Sequence, residues 1–128
     1  MIYVGRGLII HALCDGVQKI DIIDFLRCDR FCIMRPKNMD LATKAVERAN
    51  AFIGTPYDFD FIEGKDALYC HELTSSCYSD LDIEKQDVRI LGVKCQPRYT
   101  CDSFLKCDGL EKIMEFIPTK EVYYLRKR

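Results

Sequence analysis

The chain opens on short apolar runs broken by glycine turns, and only later settles into a helical period. Ile2-Tyr3-Val4 and Leu8-Ile9-Ile10-His11 are β-rich runs separated by Gly5-Arg6-Gly7, so residues 1–12 read as a hairpin. Asp15-Gly16 is a second turn signal, and Val17 to Ile20 alternates as a short strand. Asp21 is placed to cap a short helix whose apolar residues are Ile22, Ile23, Phe25 and Leu26. Phe31 to Met34 reads as a further strand that ends before Pro36. The clearest helix spans 39–53, with Asn38 as N-cap. Leu41, Ala42, Ala45, Val46, Ala49, Phe52 and Ile53 form its apolar face, and Gly54 stops it.

After an aromatic, acidic loop over 55–66, a second helix is expected over 69–80. There Cys70, Leu73, Cys77 and Tyr78 share a face at i, i+3, i+7 and i+8. Residues 81–99 read as polar and irregular. Thr100 is placed to cap a short helix through Lys106, and Asp108-Gly109 turns the chain into a strand from Ile113 to Ile117 that Pro118 ends. Val122 to Leu125 suits a last strand. No internal repeat or linker interrupts this order. The fold class is α+β: a mainly antiparallel sheet packed against two principal helices, in one domain over 1–128.

Composition narrows the function classes. With 128 residues, 48% of them apolar, the chain is sufficient for one ordinary core. Lys and Arg number 19 against 20 Asp and Glu, a net charge of −1. A general nucleic-acid binder shows a basic excess, so no nucleic-acid partner is expected. The basic cluster Arg126-Lys127-Arg128 reads as a solvated terminus. No run is long and apolar enough to span a membrane, and no signal peptide is visible, which gives a cytoplasmic expectation. Eight cysteines occur, none at CxxC spacing, with only two histidines beside them. Mostly buried, reduced thiols are expected, and neither a cofactor nor a metal is required. A metal or redox cluster of Cys95, Cys101 and Cys107 is the weaker alternative.

Two residue types carry candidate chemistry. Cys70 falls at the expected start of a helix, where unpaired N–H groups and the helix dipole favour the thiolate that attacks carbonyls. A cysteine on an apolar helix face also reads as simple core. His11 ends a strand after three apolar residues, and reads as a structural histidine or a catalytic one. His71 follows Cys70 directly. Neighbouring helical positions point about 100° apart, so His71 reads as a surface residue and a poor partner for that thiol.

Gly54-Thr55-Pro56-Tyr57-Asp58-Phe59-Asp60-Phe61, followed by Tyr69-Cys70-His71-Glu72-Leu73, resembles the permuted NlpC-type papain-like cysteine hydrolases, YiiX-like branch. Their pattern pairs a G-x-P-Y-D segment with a Y-C-x-E-L segment. Ile2-Tyr3-Val4-Gly5 and Ile9-Ile10-His11-Ala12 resemble the family's hairpin signature, so the likeness runs in order over about residues 1–80. The resemblance implies a circularly permuted papain-like fold with Cys70 as nucleophile. It implies that His11 orients the catalytic imidazole. Tyr57 would line the site and help hold an oxyanion together with the Cys70 backbone N–H. The implied activity is hydrolysis of an amide, ester or thioester through a thioacyl intermediate. The substrate would be a small molecule, a peptide or a lipid acyl group, with no prediction of oligomeric state.

One departure matters. The family's base histidine falls two residues before Met1 and has no counterpart in the sequence. Three readings follow: the segment lies upstream, the chain is a non-catalytic binding module of the same fold, or His11 itself is the base. The first is expected, because the chain opens inside a strand, and the chain as given would then be inactive or impaired.

Overall fold

The first glycine turn folds the chain back on itself. β1 (Ile2–Gly5) pairs antiparallel with β2 (Leu8–Leu13), placing Ile2 opposite Ile10 and Tyr3 opposite Ile9. β3 (Gly16–Asp21) pairs antiparallel with β2, from Leu8 opposite Asp21 to Leu13 opposite Gly16. Residues 1–28, 30–64 and 66–117 are described by a computed structural model. The expected strand over 122–125 lies outside the described residues.

Asp21 caps α1 (Ile22–Phe25) by accepting a hydrogen bond from the Ile23 amide at 2.9 Å. β4 (Phe31–Pro36) follows, and α2 (Asp40–Ala51) is the longest helix. Asn38 Oδ1 accepts from the Asp40 amide at 3.1 Å, so it closes the helix start much as an N-cap would. Gly54, at φ +91°, stands just past the helix end in the left-handed region that favours glycine. α3 (Cys70–Cys77) is shorter than expected and is closed by Tyr78. A small hairpin of β5 (Arg89–Ile90) and β6 (Val93–Lys94) precedes α4 (Cys101–Leu105) and β7 (Leu110–Phe116).

The single sheet expected from the sequence is in fact three antiparallel units: β1-β2-β3, β4-β7 and β5-β6. β4 continues through Pro36, which sits opposite Leu110 at the end of the pairing. Proline lacks a donor, and a terminal position in a two-stranded ribbon does not require one.

Two apolar clusters organise these pieces. The larger draws Ile2, Ile10, Ala12 and Val17 from the three-stranded sheet, Ala45 and Ala49 from α2, and Leu73 and Cys77 from α3. Alanines on α2 let the two helices and the sheet approach closely. The smaller cluster joins Ile83, Phe104, Cys107 and Leu110. Tyr78, at the end of α3, packs against both.

The loop after α2 is tied to the sheet through its backbone. Thr55 C=O accepts from the Val17 amide at 2.8 Å, and Val17 C=O accepts from the Gly54 amide at 2.9 Å. Gly16 makes this approach available. It has φ +91°, and a Cβ there would lie 2.6 Å from the Thr55 carbonyl oxygen. Farther along, Leu68 donates to Pro56 C=O at 2.9 Å, and Asp58 donates to Leu68 C=O at 3.3 Å. The loop is thereby closed at its neck. The buried Asp58 carboxylate accepts from the amides of Asp60 and Ile62 at 3.0 and 2.7 Å, which holds the turn inside it. Tyr57 and Leu68 form a parallel bridge, so Tyr57 is fixed beside the segment that leads into α3.

Candidate active site

Cys70 is the first residue of α3, and both ends of that helix are held. At the start, Glu72 reaches back and its carboxylate accepts from the Tyr69 amide at 3.4 Å. This is half of a capping box, and it gives the glutamate of the Y-C-x-E-L pattern a structural role. Glu72 is buried, and burial pushes its pKa up. At the other end, Arg48 of α2 donates to Cys77 C=O at 3.0 Å and to Asp80 at 2.6 Å. Leu73 and Cys77 anchor the inner face with no exposure to solvent. Burial raises the Cys77 thiol to about 11, so that sulfur is core rather than reagent.

The half-buried Cys70 thiol meets a ring nitrogen. His71 Nδ1 lies 3.3 Å from Cys70 Sγ, which overturns the expectation that His71 is a surface residue unable to reach its neighbour. The 100° offset applies to Cβ directions, whereas the imidazole swings back across the first turn. Burial chiefly, then the charge of nearby Cys70, push the Tyr57 phenol up.

The second ring nitrogen of His71 lies 3.3 Å from Cys101 Sγ at the start of α4. A backbone tether accounts for this placement: the Tyr99 amide donates to the Tyr69 hydroxyl at 2.9 Å. The residue before Cys70 therefore fixes the chain just before Cys101. Phe104 stacks on the His71 ring at 6.0 Å between centroids. At the head of β1, the Met1 amino nitrogen donates to Thr74 Oγ1 at 2.9 Å, which seats the first strand beside α3.

His11 is elsewhere in the hydrogen-bond pattern. It lies on β2 opposite Gln18, half-buried, and burial holds its pKa below the ordinary imidazole value. No hydrogen bond joins it to Cys70 or His71 among the described residues, so the reading of His11 as a direct base lacks the contact it needs.

The remaining cysteines depart from the expectation of buried thiols. Only Cys77 and Cys107 are buried, while Cys14, Cys32 and Cys101 are exposed, and all eight are free. Cys95, Cys101 and Cys107 do not converge. Cys107 is in the smaller core cluster, Cys95 is turned to Val93 C=O, and Cys101 faces His71. Among the described residues no three His, Cys, Asp or Glu side chains are grouped to hold a metal. None of the described helices is long and apolar enough to cross a membrane.

Two clefts border α3 on its Glu72 side, lined by residues such as Glu63, Glu72, Leu81 and Tyr99, and Cys70 lines neither.

Sequence and structure comparisons bear on this arrangement. The family model of permuted papain-like amidase enzymes, YaeF/YiiX, C92 family, matches residues 2–114. That match extends well beyond the 1–80 segment that carries the motifs. Among solved structures, the chain is similar to the crystal structure of metalloprotein yiiX from Escherichia coli O157:H7. The TM-score is 0.70 over 87% of this chain and 77% of that one, at 14% sequence identity. At that identity the likeness concerns the fold. No curated protein sequence matches the chain.

Proposed function

The chain belongs to the permuted papain-like amidase family, cysteine peptidases of the C92 type, and from that premise we propose that it is a thiol hydrolase whose nucleophile is Cys70. The observation that carries this reading is the seat of the sulfur. It opens a helix clamped at both ends, half-buried, with an imidazole nitrogen at 3.3 Å. A thiol in contact with a basic nitrogen is the starting arrangement for acyl transfer.

The reaction runs in two halves. The Cys70 sulfur adds to the carbonyl carbon, and the carbonyl electron pair moves onto oxygen. The Cys70 amide is one of those a helix leaves unpaired at its N-terminus, and with the Tyr57 hydroxyl it supplies donors for that oxyanion. Collapse expels the amine and leaves a thioester on Cys70. Water then attacks the thioester and releases the acid.

Amides of small molecules or peptides are the substrates the family favours, with acyl esters of lipids as the extension. The solved relative is described as a metalloprotein. The described residues of this chain do not fit such a role, since no three ligating side chains converge, and no step here passes through a metal.

Alkylation tests the reading directly. Iodoacetamide is expected to abolish hydrolysis of p-nitrophenyl acetate in proportion to carbamidomethylation of Cys70, mapped by peptide mass spectrometry. Full turnover by protein whose Cys70 is completely modified would contradict it.

A further inference from the structure

The β5-β6 hairpin ends in a tip that the rest of the molecule does not cover. Arg89, Ile90, Leu91, Gly92, Val93 and Lys94 are all exposed, and none belongs to either core cluster. Ile90 is 55% exposed, Val93 is 68% exposed and Leu91 is fully exposed. Single apolar residues on a surface are ordinary, but three gathered on one tip call for a reason.

The tip also carries two costs. Leu91 and Gly92 turn the chain at φ of +49° and +82°, where leucine is strained and asparagine or glycine is relaxed. The register sets Arg89 directly opposite Lys94, and like charges so placed repel. Asp87 Oδ2 lies 3.4 Å from Lys94 Nζ, but both side chains are exposed and the pair is weak. Arg89 has no ion-pair partner among the described residues. The arm below the tip is nevertheless well held. The Cys95 amide donates to Val88 C=O at 2.8 Å, and Gln86 and Arg98 exchange backbone hydrogen bonds at 2.9 and 3.1 Å. At its root the Tyr99 amide donates to the Tyr69 hydroxyl at 2.9 Å, which ties the arm to the residue before Cys70.

The order of chemistry along the arm identifies its occupant. Ile90 and Val93 are paired opposite each other and so share a face beside Leu91. Arg89 and Lys94 stand one residue farther from the tip, a step of about 3.3 Å. Apolar groups in front and cations just behind them match an anionic lipid surface, where phosphates overlie acyl chains. The long stems of arginine and lysine let the charges stay at the headgroups while the tip enters. A second protein fits poorly, because a stable interface takes about 800 Å² and roughly 20–30 residues from each side. A tip of six residues does not supply that.

We propose that the 89–94 hairpin is a membrane-docking arm: Ile90, Leu91 and Val93 enter the apolar layer of an anionic lipid surface, and Arg89 and Lys94 meet its phosphates. The inference stands on the arm alone and does not depend on the role of Cys70.

The test is co-sedimentation of the full chain with vesicles, either of phosphatidylcholine alone or of phosphatidylcholine and phosphatidylserine in equal parts. Wild-type protein is expected to sediment with the mixed vesicles at low salt, to bind phosphatidylcholine alone much less, and to be released as salt rises. Leu91→Asn is the informative variant. It completes an Asn-Gly turn, so the unfolding temperature should hold or rise. Its partition onto mixed vesicles should nevertheless fall about tenfold or more, the scale for one apolar side chain returned to water. Leu91→Gly also relieves the turn and should show the same loss. Changing both Arg89→Gln and Lys94→Gln should erase the preference for phosphatidylserine.

Wild-type protein left in the supernatant with both vesicles would overturn the proposal. So would wild-type partition by Leu91→Asn or Leu91→Gly, or equal binding of the wild type to the two vesicle compositions. A concentration-dependent dimer that Leu91→Asn abolishes, with no vesicle binding, would assign the tip to a second copy of the chain and overturn it as well.

Discussion

Cys70→Ala is expected to cut turnover by at least about 10³-fold while leaving the fold intact, because truncating the nucleophile leaves only binding and oxyanion contacts to act. Two features of the position separate chemistry from stability here. Cys70 is half-buried at the first position of α3, outside the fully buried set formed by Leu73 and Cys77, so alanine opens no internal cavity. The clamps on α3 come from Glu72 and Arg48, neither of which touches the thiol side chain. Thermal unfolding of Cys70→Ala should therefore overlay that of the wild type. The comparison that isolates the site is Cys14→Ala. Cys14 is an exposed, free thiol in the turn between β2 and β3, and its removal should leave turnover unchanged. Equal losses in the two variants would point to a general effect of thiols instead.

Leu73→Ala is expected to destabilise the protein by about 2–5 kcal/mol, the range for a fully buried leucine truncated in a packed core. Leu73 has no solvent exposure, and its cluster gathers residues from β1, β2, β3, α2 and α3. A cavity there loosens the inner face of the very helix that carries Cys70 three residues earlier. A loss of that size is a large share of the ordinary 5–15 kcal/mol stability of a domain. Urea denaturation should show a lowered midpoint with an unchanged slope. Leu105 provides the contrast: it is a leucine on α4 that is half exposed, and Leu105→Ala should change stability by less than about 0.5 kcal/mol. A wild-type midpoint in Leu73→Ala would show that the α3 core does not bear on stability as the packing indicates.

Much of the fold was legible because local signals and tertiary demands agree. The Gly5-Arg6-Gly7 turn, the Asp21 cap, the alanine-rich face of α2 and Gly54 after it all appear in the structure in the roles their chemistry suggests. The β5-β6 hairpin escaped because its turn is Leu91-Gly92, with φ of +49° and +82°. Leucine rarely takes that conformation, so the pair carries none of the usual Asn-Gly or Asp-Gly signature. β7 begins at Leu110, earlier than the apolar run suggests. Its first residues, Glu111 and Lys112, are paired to Arg35 and Met34 of β4 rather than buried, so periodicity does not mark them.

The site divides in the same way. Cys70 and Tyr57 are singled out by the motifs; the structure places Cys70 at the first position of α3 and Tyr57 beside the segment that leads into it. The contact between His71 and Cys70 escapes a rule about neighbouring helical positions, which treats side chains as rigid rods along Cβ. What recovers it is nonlocal: Cys101 lies 30 residues away in sequence, and the Tyr69 hydroxyl holds its segment in place. No sequence period encodes that contact.

The most direct measurement is to capture the covalent intermediate. Wild-type protein mixed with p-nitrophenyl acetate, quenched in acid within the first turnover and digested, should carry one acetyl group as a thioester on the peptide containing Cys70. Hydroxylamine should remove it, and Cys70→Ala should show none. Acetylation confined to other cysteines, with hydrolysis still proceeding, would contradict the account.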